Sequence, residues 1–409
     1  MANDADNARP GPAGGRALSG MTVLDLSTLF SAPQVSAMLA DLGADVIKIE
    51  APGGDPLRVI GAQRQGHSLM WALVNRNKRA VTLDLRQPAG QELLRQLATK
   101  ADVLVENLPV DTLRRWGCTY EQLAARNPRL IVVSVSTYGR SGPYAERTGA
   151  GTLAEAYGGL TYMTGEAGGP PMLPSLPLGD SLCALSGVIG ALSACYYRDV
   201  VGGPGQHVDV SMYEPILQMI APTIAAYERG GEVPNRTGSR VPGGVPRNVY
   251  RTAEGHWIVV SGTTDAQVAR VLALMGEDTP EMVARFGRSE DRLQNGDELD
   301  ALVARWVATQ SRERALEALL EVRVPAAPVN DVPSILRDPH IVARGDVVTL
   351  PDDDVGSVDI VAPVPRLSAT PGTIRTAAPK LGADNADVYG RLLGLGADEL
   401  AELRSQGVV

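Results

Sequence analysis

The sequence is poor in residues that bind structural metals. It has three cysteines and four histidines among 409 residues, and the cysteines show no paired spacing. Zinc and iron–sulfur sites usually show tightly spaced Cys and His ligands, so we expect no metal site. Unpaired cysteines are also typical of a reducing compartment, and we expect the protein in the cytoplasm.

Positive charge is in deficit as well. The chain carries 38 Lys and Arg against 47 Asp and Glu, a net charge of −9, which argues against a nucleic-acid-binding protein. It has no run of ~18 consecutive apolar residues, so we expect no membrane span. The first residues lack a basic segment followed by an apolar one, which argues against a signal peptide. Residues 1–17 are predicted to form a disordered tail.

Short apolar runs alternate with helical patterns through the first half of the chain. Thr22–Leu26 and Asp45–Ile49 read as buried strands, and a helix with Pro33 in its first turn is predicted between them. This alternation predicts an α/β protein with a largely parallel, doubly wound sheet. The first strand is not followed by G-x-G-x-x-G or a P-loop lysine, which disfavours a nicotinamide or ATP site.

One carboxylate has two interpretations. Asp180 follows Gly179 and precedes a long apolar stretch that is predicted to be helical. Asp is a common N-cap residue, worth ~1 kcal/mol, and residue physics alone favours this reading. The same helix terminus would keep the carboxylate ionised, as a nucleophile requires. Both interpretations stay open at this point.

Basic residues flank the predicted strands. Each is more simply explained as part of a solvated rim, but together they would neutralise a ligand that carries several phosphate charges. They are Arg76, Lys78, Arg79, Arg86, Arg114 and Arg115.

Five stretches in order resemble the family III CoA-transferases, which include formyl-CoA transferase. They are VLDLSTLFSAPQVSAMLADLGADVIKIEAPGGDPLR, NRNKRAVTLDLRQPAGQELL, ADVLVENLPVDTLRRWG, NPRLIVVSVSTYGRSGPY and LGDSLCALSGVIGALSACYYRDVVGGPGQHVDVSM. The later part of the chain matches more loosely, through PRNVYRTAEGHWIVV and VPAAPVNDVPSILRDPHIVARG. Five ordered blocks are more specific than any single motif.

The resemblance implies that the chain moves CoA from an acyl-CoA thioester to a free carboxylic acid. Asp180 matches the aspartate that forms an acyl anhydride and then an aspartyl-CoA thioester. No tightly bound cofactor is implied, because the CoA thioester is a substrate. The positions that match CoA-binding residues are Leu83, Arg86, Asn107, Leu108 and Arg115.

The resemblance also assigns residues near the thioester. Phe30 and Ser31 would lie beside it, and Gly243 and Gly244 match a glycine-rich lid. Formyl-CoA transferase has glutamine at the position of Phe30, so a small oxalate-like acceptor is not expected.

The family's architecture is implied too: two interlocked copies, each with a large Rossmann-like domain and a smaller α/β domain. The partners expected are thus acyl-CoA, a small carboxylic acid and a second copy of the chain. The expected division is the tail 1–17, the first part of the large CoA-binding domain 18–215, a linker 216–240, the small domain 241–325, and a linker with a return to the large domain 326–409.

Two other functions stay open. The α-methylacyl-CoA racemase branch of the family needs a histidine for proton transfer, and the matching position here is Ala150. A non-catalytic acyl-CoA-binding protein would use Asp180 only as a helix cap.

Overall fold

The computed structural model describes residues 15–241 and 244–409. They form two compact units, one of residues 15–160, 174–224 and 343–409, the other of residues 161–173 and 225–342. The predicted tail, 1–17, lies outside the described residues except for its last three. The predicted linker, 216–240, includes the helix Ala221–Gly230. The predicted domain boundaries stay a prediction.

The described residues form strands that are two to six residues long. They are β1 Thr22–Asp25, β2 Asp45–Glu50, β3 Gln63–Arg64, β4 His67–Ser68, β5 Lys78–Thr82, β6 Val103–Glu106, β7 Ile131–Ser136, β8 His207–Ser211, β9 Arg247–Arg251, β10 Trp257–Ser261, β11 Ala326–Pro328, β12 Val347–Asp352 and β13 Gly356–Val361.

The described residues also form helices that are four to 19 residues long. They are α1 Ser31–Asp41, α2 Leu69–Val74, α3 Pro88–Ala98, α4 Val110–Trp116, α5 Tyr120–Ala124, α6 Gly151–Tyr157, α7 Leu160–Met163, α8 Leu178–Tyr196, α9 Glu214–Met219, α10 Ala221–Gly230, α11 Asp265–Met275, α12 Pro280–Phe286, α13 Ser289–Val307, α14 Arg312–Glu321, α15 Val332–Arg337, α16 Pro339–Arg344, α17 Asn385–Leu393 and α18 Ala397–Ser405.

Six strands of the first unit form one sheet in the order β5-β2-β1-β6-β7-β8. Every pair in it is parallel, so the predicted parallel α/β sheet is confirmed. The strand order is that of a Rossmann fold, and it reverses between β1 and β6. Ligands of such sheets bind where the strand order reverses, outside the carboxyl ends of the strands.

Alternating side chains of each strand build two core layers. Val23 of β1 lies in the layer with α1 and α8, whereas Leu24 lies in the layer with α3 and α17. Both faces of the sheet are therefore covered, which explains why the strands read as continuous apolar runs.

Glycines let helix α8 approach its neighbours closely. A β-carbon on Gly187 would lie 2.7 Å from Val35 Cγ2 of α1, and one on Gly190 would lie 2.5 Å from Val208 Cγ1 of β8. Ala184 and Ala191 are also buried there. The small-residue face of α8 thus packs within its own chain.

Helix α8 and its helical continuation, Leu178–Val201, are long and apolar enough to cross a membrane by length and composition. Our sequence criterion missed this segment because Gly, Ser and Asp interrupt the apolar run. Its small-residue face belongs to the core layer of the sheet, as expected of a core helix.

The second unit has its own core. Its sheet has the order β11-β10-β9 and is antiparallel. Helices α11, α13 and α14 contribute apolar side chains to the same cluster as β10.

Candidate active site

Asp180 lies inside the first turn of helix α8. The helix begins at Leu178, and Pro177, whose side chain makes no capping hydrogen bond, occupies the N-cap position. The N-cap interpretation of Asp180 is therefore wrong. Pro177 has no N–H to satisfy, and its carbonyl already accepts the N–H of Ser181 at 3.1 Å.

Three helices meet at Asp180. A β-carbon on Gly151, the first residue of α6, would lie 1.8 Å from Asp180 Oδ2, so the carboxylate occupies the space that any side chain there would need. The hydroxyl of Ser31, the first residue of α1, donates to the backbone carbonyl of Asp180 at 3.0 Å. Glycine at 151 thus leaves the space that the carboxylate occupies, and Ser31 holds the backbone of Asp180.

A second carboxylate lies close by. Glu155 of α6 is fully buried, and its Oε1 accepts the backbone N–H of Gly179 at 2.9 Å. Its Oε2 is buried and has no hydrogen-bond partner among the described residues. Sequence reasoning missed Glu155 and Gly151, because nothing in their local sequence signals contact with a helix so far along the chain.

Burial first, and then the negative charge of Glu155, raise the pKa of Asp180 to about 6, against a smaller lowering by Asp180's own backbone N–H. The expectation that the helix terminus dominates is therefore wrong in direction, since desolvation outweighs the dipole. At pH 7 the ionised form still predominates, and a less stabilised carboxylate is the better nucleophile.

The raised pKa makes Asp180 a source of instability at neutral pH. Folding favours its protonated form, so its contribution to stability is full below pH 3.8 and is lost as pH rises through about 6. Asp180→Asn is thus expected to raise the free energy of unfolding at pH 8 by at most about 3 kcal/mol, and by almost nothing near pH 3.5. Denaturant unfolding at several pH values measures this difference.

Glu92 supplies the control of opposite sign. Hydrogen bonds from Arg126 lower the pKa of Glu92 to about 2. Glu92→Gln should therefore destabilise the protein at pH 8 and lose its effect as pH falls toward 2. A less stable Asp180→Asn protein at pH 8 would contradict the assignment.

A cavity of about 500 Å³ opens beside the carboxyl ends of β1, β2 and β5. Its apolar lining includes Leu83, Leu108 and Trp116, and Arg86 lies at its edge among the lining residues. The structure thus brings together three of the five predicted CoA-binding residues, Leu83, Arg86 and Leu108. The volume is in the ordinary range for ligand pockets.

The guanidinium of Arg86 already has a partner. Its Nε and Nη2 donate to the Asp84 carboxylate at 2.8 and 2.9 Å, and these hydrogen bonds lower the pKa of Asp84 to about 2. Asp84 also lines the cavity and was missed from sequence. A phosphate that binds Arg86 would have to share it with this carboxylate.

The other two predicted CoA-binding residues do not line the cavity. The side-chain amide of Asn107 bonds the backbone N and O of Thr28 at 2.9 and 2.8 Å, which clamps the loop after β1. Arg115 is exposed on α4 and donates to Thr112 Oγ1 at 3.1 Å.

The loop before α1 carries the residues expected near the thioester. Phe30 packs against the apolar cluster of Leu57, Trp71 and Val74, whereas Ser31 reaches Asp180. Leu29, which precedes them, is half exposed and has φ +67°, a backbone conformation that costs a non-glycine residue of order 1–3 kcal/mol.

A buried ion-pair network lies beneath this loop. Asp25 ends β1 and accepts hydrogen bonds from Ser36 Oγ at 2.6 Å and Lys78 Nζ at 2.7 Å. Burial alone would raise the pKa of Asp25, but Lys48 and Lys78 outweigh burial and hold the pKa below its ordinary value. The network ties β1, α1 and β5 together.

Part of the predicted basic rim forms ion pairs with acidic residues of the same chain. Lys78 and Arg79 begin strand β5 rather than precede it. Arg76 pairs with Asp41, Lys78 with Asp25 and Arg79 with Asp45. All three lie at or before the amino end of β5, whereas the cavity opens beside its carboxyl end, so the structure does not bring them to that cavity.

The predicted glycine lid is only partly described. Gly243 lies outside the described residues. Gly244 belongs to the second unit, and its N–H donates to the carbonyl of Val241 at 3.1 Å. No group of three or more His, Cys, Asp or Glu within residues 15–241 and 244–409 is arranged to hold a metal ion.

Known proteins resemble the chain along most of its length. The family model described as CoA-transferase family III matches residues 18–385. Succinyl-CoA–D-citramalate CoA-transferase of Chloroflexus aurantiacus is 38% identical, over 96% of this chain and 98% of that protein. Formyl-CoA:oxalate CoA-transferase of Streptomyces avermitilis is 33% identical, over 96% and 100%. A solved CAIB/BAIF family protein from Brucella suis matches with TM-score 0.81 and 31% identity, over 92% of this chain and 100% of that one.

Proposed function

The chain belongs to CoA-transferase family III, and we propose that it transfers CoA to a free carboxylic acid through covalent intermediates on Asp180. One observation carries the proposal. The carboxylate of Asp180 is held by packing between α1, α6 and α8, and no ion pair or side-chain hydrogen bond within the described residues occupies it. A fixed but unoccupied carboxylate is free to attack.

The proposed transfer conserves the thioester. An oxygen of Asp180 attacks the acyl carbonyl, which gives a mixed anhydride and releases CoA thiolate. The thiolate attacks the aspartyl carbonyl, which gives an aspartyl-CoA thioester and releases the donor acid. The acceptor carboxylate then attacks this thioester, which gives a second mixed anhydride and releases CoA thiolate. The thiolate attacks the acceptor's carbonyl in that anhydride, which forms the new acyl-CoA and releases the free Asp180 carboxylate. Water must be excluded throughout, because hydrolysis would waste the thioester.

The cavity at the end of β1 and β5 is the proposed site for CoA. Leu83, Leu108 and Trp116 offer apolar surface for its uncharged parts. Arg86, which lines the cavity, and Arg115, on α4, are the proposed partners for its phosphates, since a guanidinium can form bidentate hydrogen bonds with phosphate. The hydrogen bonds between the Asn107 amide and the backbone of Thr28 would hold the loop after β1 in place.

The proposed acceptor is a small carboxylic acid, and the chain is proposed to need no tightly bound cofactor. The named relatives act on citramalate or oxalate with succinyl-CoA or formyl-CoA as donor. Phe30 packs into an apolar cluster and offers no amide, which argues for an acceptor other than oxalate. Racemase chemistry is disfavoured, because Ala150, next to Gly151, has no group that transfers a proton.

We propose a homodimer, located in the cytoplasm. One face of α8 and its continuation is apolar and exposed, with exposures of 47% at Leu185, 66% at Ile189, 62% at Tyr196 and 64% at Val200. Contiguous exposed apolar surface marks an interface more often than free surface. The small-residue face of the same helix is already buried within the chain, so the exposed face is the one available to a partner.

The function is tested by incubating the protein with succinyl-CoA and a set of free carboxylic acids. We expect at least one new CoA thioester in the mass spectrum, formed together with an equal amount of succinate. Succinate and free CoA without a new thioester would instead indicate hydrolysis. Deuterium exchange at the carbon next to the thioester, without transfer, would indicate a racemase.

A further inference from the structure

Glu155 is a buried carboxylate beside Asp180 to which the proposed transfer assigns no role. We infer that Glu155 is a positioning residue whose negative charge favours the uncharged, covalent forms of Asp180 over the free carboxylate. The inference rests on the proposed function, because it concerns intermediates of that reaction.

Glu155 and the nucleophile are joined through one short segment. Gly151 and Glu155 are four residues apart on α6, so both face the same side of that helix. Gly151 contacts the Asp180 carboxylate, and Glu155 Oε1 accepts the N–H of Gly179 at 2.9 Å. Helix α6 therefore contacts both Gly179, the residue before Asp180, and the Asp180 carboxylate itself.

The charge of Glu155 has no counter-charge, which sets it apart from the other buried acids. In the part of the chain that the structure describes, eight acidic residues are buried, and seven of them pair with Lys or Arg. The pairs are Asp25 with Lys78, Asp41 with Arg76, Glu50 with Arg58, Asp55 with Lys48, Asp84 with Arg86, Glu106 with Arg140 and Asp300 with Arg240. Among these eight, Glu155 alone lacks such a partner within residues 15–241 and 244–409, and its Oε2 has no hydrogen bond there either.

An unpaired buried carboxylate is costly, so its retention beside a nucleophile points to a role in the reaction. Asp180 carries a charge of −1 as the free enzyme and none as an anhydride or a thioester. Formation of either intermediate removes the repulsion between Asp180 and Glu155. The same repulsion contributes to the raised pKa of Asp180, after burial, because a proton also neutralises the carboxylate.

Other ionisable groups near Asp180 do not supply this effect. Cys183 of α8 faces it, but burial raises the pKa of that thiol to about 12, so it is uncharged at neutral pH. Glu214, in the first turn of α9, acts on Cys183 and is not among the groups that shift Asp180. Ser31 of α1 is uncharged and bonds the backbone of Asp180.

Glu155→Gln removes the charge and keeps an oxygen that can accept the Gly179 N–H. With acyl-CoA present, hydroxylamine trapping of Asp180 should fall roughly three- to tenfold relative to wild type. The acid limb of kcat/KM for acyl-CoA, expected near pH 6 in wild type, should move to lower pH, because an Asp180 without the repulsion ionises more easily. A purely structural role would not move this limb.

Two further variants complete the test. Glu146→Gln removes a negative charge from an exposed position on the preceding loop and should change neither readout. Glu155→Asp keeps the charge on a shorter side chain, so its acid limb should stay near that of wild type even if its rate falls. An unchanged acid limb and unchanged trapping in Glu155→Gln would overturn the inference alone. Absence of any Asp180 adduct in wild type would overturn both the inference and the proposed function.

Discussion

Asp180→Asn is expected to lower the rate of CoA transfer by roughly 10³-fold or more, while the fold and the binding of acyl-CoA persist. An amide has no anionic oxygen to attack a thioester, but it has nearly the shape of the carboxylate, so the packing against Gly151 and Ser31 is kept. The measurement is the initial rate of transfer, with acyl-CoA binding followed separately by calorimetry.

Trapping identifies the residue directly. Wild-type protein incubated with acyl-CoA and then hydroxylamine should carry a hydroxamate on the peptide that contains Leu178–Asp180, and the variant should carry none. Asp387→Asn is the matched control, since Asp387 is the third residue of α17 as Asp180 is of α8. That control should transfer CoA at nearly the wild-type rate. Label on another residue, or near-normal transfer by Asp180→Asn, would show that the nucleophile lies elsewhere.

Gly151→Ala is expected to lower kcat/KM by roughly 10²-fold, because the added methyl group must displace the nucleophile. The new β-carbon would lie 1.8 Å from Asp180 Oδ2, and no relaxed packing allows that contact. The backbone itself tolerates alanine, since Gly151 is not among the residues with positive φ and alanine favours a helix. The fold should therefore survive.

Gly390→Ala, within α17, provides the comparison. Its β-carbon would meet the nearest atom, the carbonyl oxygen of Leu395, at 3.6 Å, which is an ordinary contact. Steady-state kinetics and hydroxylamine trapping should be unchanged in that variant. If Gly151→Ala also keeps wild-type kinetics, the Asp180 carboxylate does not need the position that it occupies here.

The sheet could be predicted from sequence because each strand is a local signal. The start of β5 is not such a signal: the strand begins at the charged Lys78, before its apolar run, because Lys78 finds a buried partner in Asp25. Such a partner lies on another strand, and its position cannot be read from neighbours in the sequence.

Some residues of the site could be predicted from the sequence, and others could not. A sequence motif pointed to Asp180 as the nucleophile, but not to its place in the helix, because α8 begins before Asp180, with Pro177 at the N-cap position. Gly151 and Glu155 were missed because their importance comes only from how α6 packs on α8. The raised pKa of Asp180 follows from its burial, and burial is a property of the folded chain.

Helix α8 carries the nucleophile in its first turn and an exposed apolar face along the rest of its length. If a second copy covers that face, the free energy of unfolding includes a contribution from mass action. Dilution then lowers the free energy of unfolding without any change in sequence or solvent. Loss of the partner would also loosen α8, whose first turn holds Asp180. The specific activity per chain would therefore depend on the protein concentration.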